Sequence, residues 1–164
     1  KIVAHENVLN RLTTPTAVAQ GPAVQRGLPL DEYFTPSKDL HFNDEAVVLY
    51  HETAAHTDGD TMIYFPKADV LFVGDFYRSI QYPNVDRANG GSVRGIVDGM
   101  GTVIAMAKPT TKIVPGHGPV VDKNALVQTR DLVITIRDRV AKLVNEGKTQ
   151  DEVIAAKPLA DLDK

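Results

Sequence analysis

Ala54-Ala55-His56-Thr57-Asp58-Gly59-Asp60-Thr61-Met62-Ile63-Tyr64-Phe65 is the stretch on which the fold of this chain turns. A polar, glycine-containing segment runs directly into Thr61–Phe65, which has strand character. Two further side chains able to ligate a metal follow in similar settings. Asp75 closes Val70-Leu71-Phe72-Val73-Gly74-Asp75, and His117 sits in Ile113-Val114-Pro115-Gly116-His117-Gly118. His56, Asp75 and His117 are each expected just beyond the carboxyl end of a strand, where layered α/β folds gather ligand-binding groups. Glycine is near each of them: Gly59, Gly74, and the pair Gly116 and Gly118. Tight turns at such points let side chains from separate loops converge.

Two imidazoles and a carboxylate suit Zn²⁺, which in catalytic sites keeps one position for water and lowers that water's pKa to about 7. Taken singly, each feature has a plainer meaning. A histidine after a strand is more often a hydrogen-bonded loop residue than a ligand, and an isolated Gly-Asp or Gly-His-Gly is equally common in turns. Asp58 and Asp60 read as residues that shape the turn, with Asp60 also placed to orient a ligand. His5, His41 and His51 read as structural. Tyr77, Arg78 and Tyr82 follow Asp75 and border either a cleft or an exposed loop.

Working outward, Val47-Val48-Leu49 and Val70-Leu71-Phe72-Val73 are continuously apolar, as in strands covered on both faces. Strands are predicted at 39–42, 46–51, 61–65, 70–73 and 112–114, with the turn-prone pair Asn43-Asp44 between the first two. His5–Leu12 has helical spacing. Ser92 caps a helix carrying Val93, Ile96, Val97, Met100 and Ile104, and Asp122 caps the longest helix, which Gly147 stops. Thr149-Gln150-Asp151-Glu152 is a capping box that opens a last helix before Pro158. From about 13 to 37 the chain is rich in Pro, Gly, Thr and Gln without a steady period, and is expected to be a long surface connection.

The chain has 164 residues, enough for a single domain with a core, and 43% of them are hydrophobic. Net charge is −3 and no Lys/Arg-rich run occurs, which argues against nucleic-acid or anionic-membrane binding. No apolar stretch approaches the roughly 20 residues of a membrane helix. There is no cysteine, so a metal site would use imidazole and carboxylate. Lys1-Ile2-Val3-Ala4 resembles the interior of a soluble domain, and the true N-terminus is expected to lie upstream; no compartment is indicated.

Six stretches, in order, carry a family resemblance: Ala4-His5-Glu6-Asn7-Val8, Ala55–Asp60, Val73-Gly74-Asp75-Phe76-Tyr77, Tyr82-Pro83-Asn84-Val85-Asp86, Gly90-Gly91-Ser92 and Val114–Gly118. Together they resemble the C-terminal half of a metallo-β-lactamase-fold, metal-dependent hydrolase. The resemblance implies half of an αββα sandwich, an α/β layered fold with a mixed sheet covered by helices on one face. It implies that His56 ligates a first zinc, Asp75 bridges two, and His117 ligates a second. The substrate would be a small ester, thioester, lactone or amide. A nucleic-acid-processing member is disfavoured by the acidic pI of about 5.9. The family's principal motif, His-x-His-x-Asp-His, does not occur in this chain. The chain alone is therefore expected to be inactive, with zinc bound weakly or not at all. A half-fold of this kind would expose an apolar sheet face, so its expected partner is a second copy or the missing N-terminal half.

Overall fold

The computed structural model describes residues 2–14 and 27–162. Its centre is a five-stranded sheet in the order β3-β4-β5-β6-β7. These strands are β3 (Ser37–Phe42), β4 (Glu45–Glu52), β5 (Asp60–Phe65), β6 (Val70–Arg78) and β7 (Lys112–His117). β3 to β6 pair antiparallel in sequence, and β7 returns parallel to β6. Asn43 and Asp44 both take positive φ, 50° and 58°, the backbone required by a tight hairpin turn between β3 and β4. The parallel return needs a crossover, and α2 (Val93–Met106) provides it.

α2 and α3 (Lys123–Asn145) cover one face of the sheet. Met62, Leu71, Val73 and Phe76 from the strands meet Ile96, Met100 and Val103 of α2 and Leu126 and Val133 of α3 in one buried cluster. Each large side chain buried in this way contributes about 1.5–3 kcal/mol. The short α4 (Gln150–Ala155) follows, opened by the predicted Thr149–Glu152 capping box.

The other face differs. Strand register places Lys38, Leu49, Ile63, Phe72 and Val114 in one row across all five strands. Leu49 is buried, but Phe72 is 41% exposed and meets the Phe65 ring edge-on, with ring centroids 5.7 Å apart. One end of this face is covered by a small unit: β1 (Val3–His5), α1 (Glu6–Thr13) and β2 (Asp31–Tyr33). β1 and β2 pair parallel. His5 stacks on His51 at 3.5 Å, and the Tyr33 hydroxyl bonds the Thr61 hydroxyl at 2.7 Å.

The mixed sheet and one-sided helical cover match the expected fold class. Two expectations need correction. Of the connection read at 13–37, residues 15–26 lie outside the described residues, but Asp31–Tyr33 is a strand and Tyr33 is only 4% exposed. Two three-residue strands paired across a long separation leave no periodic signal. The fourth strand also runs on to Arg78 rather than ending at Val73. Gly74 takes φ 60°, and the pairing with β7 slips there. Leu71 and Val73 face the core before this bulge, Phe76 after it. Asp75 thus lies inside β6, turned away from the core by the phase change, not beyond the strand end. Among the described residues, no helix is long and apolar enough to cross a membrane.

Candidate metal centre

His56, Asp75 and His117 meet at one edge of the sheet. The β4–β5 turn, the end of β6 and the end of β7 all open there because β4, β6 and β7 run in the same direction.

The turn carrying His56 is built around the Asp60 carboxylate. It accepts hydrogen bonds from the His56 backbone N–H at 2.6 Å, the Thr57 N–H at 3.2 Å and the Thr57 hydroxyl at 2.6 Å. The Asp58 carboxylate accepts from Nε and Nη2 of Arg11, whose Nη1 donates to Asn89, and this anchors α1 to the turn. Its carbonyl accepts from Asn7 and from His51 Nε2, each at 2.8 Å. Gly59 packs against α1, where an added Cβ would lie 2.7 Å from Val8 Cγ2. Asp58 and Asp60 both hold this turn through their hydrogen bonds.

A second segment clamps this turn. The Asp86 N–H donates to the His56 carbonyl and the Ser92 N–H to the Ala55 carbonyl, both at 3.0 Å. Ser92 also caps α2 through Gly95 and bonds the Ala54 carbonyl at 2.8 Å. Side chains at 91 and 95 would collide with this backbone: a Cβ on either residue would come within 2.0 Å of a turn carbonyl oxygen. The glycines of the Gly90-Gly91-Ser92 signature and Gly95 thus allow close approach.

His56 is held on one side by its ring. Nδ1 lies 2.8 Å from the Asn84 carbonyl, which only accepts, so Nδ1 carries a proton and Nε2 is the ring nitrogen left to face a ligand. That Nε2 faces Asp75 Oδ2 at 3.8 Å. His117 Nε2 approaches the other oxygen, Oδ1, at 3.1 Å. Gly116 makes this possible, since a Cβ there would stand 2.2 Å from Asp75 Oδ1. The carboxylate is thus shared between two imidazoles, one oxygen to each.

Nitrogen and oxygen donors of this kind suit zinc. The donor count is another matter. Among the described residues, no group of three or more His, Cys, Asp or Glu side chains is arranged to hold a metal ion. The chemistry fits part of a zinc site, and further donors are needed to close it.

Three features escaped sequence reasoning. Glu52, at the end of β4, is buried beside Gly99, and burial together with the Asp60 carboxylate pushes its carboxyl up to about 7. A terminal glutamate after an apolar run was its one visible trace. His5 caps α1 by accepting the Asn7 N–H, and burial and the stacked His51 lower its pKa. Tyr77 is a core residue, not a cleft residue, while Arg78 and Tyr82 stay at the surface end of β6 and beyond.

No protein-family profile matches the chain. A type 2 metallo-β-lactamase of Bacillus sp. (strain 170) is 24% identical over 95 residues, 58% of this chain and 37% of that enzyme. The solved structure of BLEG-1, a B3 metallo-β-lactamase, matches with a TM-score of 0.62 and 20% identity over 80% of this chain and 64% of the other. The inverting sec-alkylsulfatase Pisa1 from Pseudomonas sp. matches with a TM-score of 0.64 and 16% identity, over 96% of this chain and 31% of that one. The chain spans less than two thirds of each of these relatives. These likenesses are of fold, and a fold does not by itself fix the reaction. With the mixed sheet and its helices, these likenesses identify the chain as a metallo-β-lactamase-fold domain.

Proposed function

We propose that this chain supplies the His56, Asp75 and His117 part of a zinc-dependent hydrolase site acting on a small ester, thioester, lactone or amide. The observation that carries the proposal is the Asp75 carboxylate set between two imidazole nitrogens, with the His56 tautomer fixed by Asn84. When bound, the metal supplies a Lewis acid and an activated water. The chain's own residues do the positioning. The Asp60 hub and the 84–92 clamp fix the His56 ring, Gly74 turns Asp75 toward the imidazoles, and Gly116 lets His117 approach. Three donors would leave a zinc site open, and on this reading the chain by itself holds zinc weakly and is inactive. The remaining donors come from an N-terminal half bearing His-x-His-x-Asp-His. The test is to express the chain joined to its upstream coding sequence and assay ester and lactone hydrolysis with and without zinc. Zinc-dependent turnover that His56→Ala abolishes is expected; an upstream frame without that motif, or turnover indifferent to His56, would refute the proposal.

A second reading is favoured by Phe72, 41% exposed on the sheet face away from α2 and α3: a non-enzymatic half-fold that pairs with a second copy through this face. It predicts a dimer by light scattering at micromolar concentration, and a stable monomer would count against it.

A further inference from the structure

The β1–α1–β2 unit holds the His56 turn, and the unit is itself seated on a pair of imidazoles. Arg11 of α1 binds both the Asp58 carboxylate and the Asn89 side chain, so one guanidinium ties the turn to the segment that clamps it. Asn7 Nδ2 donates to the Asp58 carbonyl at 2.8 Å, and Val8 packs on Gly59. α1 starts from His5, whose Nδ1 accepts the Asn7 N–H at 3.3 Å. A backbone N–H can only donate, so Nδ1 carries a lone pair and the His5 ring is uncharged in this state. His51 stacks on that ring, centroids 3.5 Å apart and 8° from parallel, and its Nε2 bonds the Asp58 carbonyl at 2.8 Å. Tyr33 of β2 meets His5 edge-on at 5.2 Å. His5 is 5% exposed.

A proton added to His5 acts in three ways. Nδ1 turns from acceptor to donor and faces the Asn7 N–H, so the cap is lost. Positive charge appears at the N-terminus of α1, where the helix dipole opposes it. The same charge is buried against a parallel imidazole. Glu6 and the Asp58 carboxylate attract it, but burial and His51 outweigh them, and Arg11 already occupies Asp58. Burial raises the Tyr33 phenol further, so it stays neutral. At the other end of β2, Asp31 is paired with Lys38 of β3 at 2.6 Å. Glu52 and Asp60 face each other at the end of the β4–β5 pair, and Glu52, pushed up to about 7, holds its proton across the acid range. His5 and His51 are the groups of this cluster left to gain charge on mild acidification.

We propose that the stacked His5–His51 pair is a pH-sensitive latch: protonation of His5 releases α1 from the His56 turn and loosens the loop that carries this imidazole. Its bearing on metal binding rests on the reading of His56 as a zinc ligand; the latch itself does not. Because the folded state needs His5 uncharged, the latch is closed above about pH 6.5 and opens as pH falls. The test is amide hydrogen exchange by NMR on the metal-free full chain from about pH 7.5 to about pH 5, corrected for the intrinsic effect of pH on exchange. The Thr14 N–H, bonded to the Asn10 carbonyl, reports α1, and the Asp58 N–H, bonded to the Asn89 carbonyl, reports the His56 turn. Both are expected to lose protection about tenfold, with the midpoint of the His5 ring titration, while α3 amides keep theirs. His5→Asn retains a capping acceptor that does not titrate, and should hold protection level across the range. His51→Gln keeps a donor for the Asp58 carbonyl and removes the stacked ring, so it should move the midpoint to higher pH. Because no metal is present, the outcome is independent of whether the cluster takes up zinc, which a zinc titration at about pH 7.5 reads separately. Protection at Thr14 and Asp58 that does not change with pH, loss at Thr14 without loss at Asp58, equal loss in α3, or a midpoint apart from that of the His5 ring would overturn the proposal. So would an unchanged pH dependence in folded His5→Asn or His51→Gln.

Discussion

His56 and His117 flank the same carboxylate, yet the two loops that carry them are built on different terms. The His56 side chain is 15% exposed, its ring is bonded to Asn84, and its backbone is clamped from both sides. The His117 side chain is 51% exposed and sits between glycines, with Asp75 as the partner of its Nε2. One imidazole is preorganised before any ligand arrives. The other has room to adjust. Preorganised donors bind with less ordering cost, while an open donor leaves access for a substrate or a partner chain.

The contrast breaks most easily at the glycines. In Gly91→Ala the new methyl meets the His56 carbonyl, which is backbone and cannot move aside; a loss of about 3 kcal/mol or more is expected in denaturant unfolding. In Gly116→Ala the first atom met is a movable Asp75 oxygen, although the Gly74 carbonyl also lies 2.8 Å away. About 1–2 kcal/mol is expected there, with the disturbance confined to the His117 side. Equal losses for the two variants would erase the distinction between a rigid and an open loop.

A second effect comes from Glu52 beneath the His56 turn. Its ordinary pKa of 4.5 is pushed up to about 7 by burial and by Asp60. Between these values the folded protein binds more protons than the unfolded chain, so stability falls as pH rises through this window and the loss is complete above it. Glu52→Gln should flatten that slope and raise stability at about pH 8 by ~2 kcal/mol, measured by urea unfolding across the range. His5 acts in the opposite sense. Its pKa is held below 6.5 by burial and by His51, so its contribution is present above that value and is lost on acidification. The smallest effect is expected at Arg11. Its pair with Asp58 is about one third exposed on both sides, so Arg11→Ala should cost about 0.5–1 kcal/mol and speed hydrogen exchange in the His56 turn but not near His117.

Much of this was legible in the sequence where a local pattern carried it. The capping residues Ser92, Asp122 and Thr149, the Asn43-Asp44 turn and the apolar runs of β4 and β6 all announce their elements. Asp58, Asp60 and the three donors were also visible as residue types beside turns. What stayed hidden depends on distant partners. The β1–β2 pair joins segments with no periodicity of their own, and the continuation of β6 past Gly74 depends on its slipped pairing with β7. The burial of Glu52 is set by α2, which lies far away along the chain. In sequence Gly116 reads as a turn glycine; its closeness to the Asp75 carboxylate is a tertiary fact.

The central claim is that Asp75 is shared between His56 and His117 as a metal-binding unit. The most direct test is calorimetric titration of zinc into the full chain and into His56→Ala and His117→Ala. Weak saturable binding in the wild type is predicted, lost in His56→Ala and reduced in His117→Ala, in keeping with the preorganised and open imidazoles. Zinc binding unaltered by both substitutions, or none in the folded wild type, would contradict it.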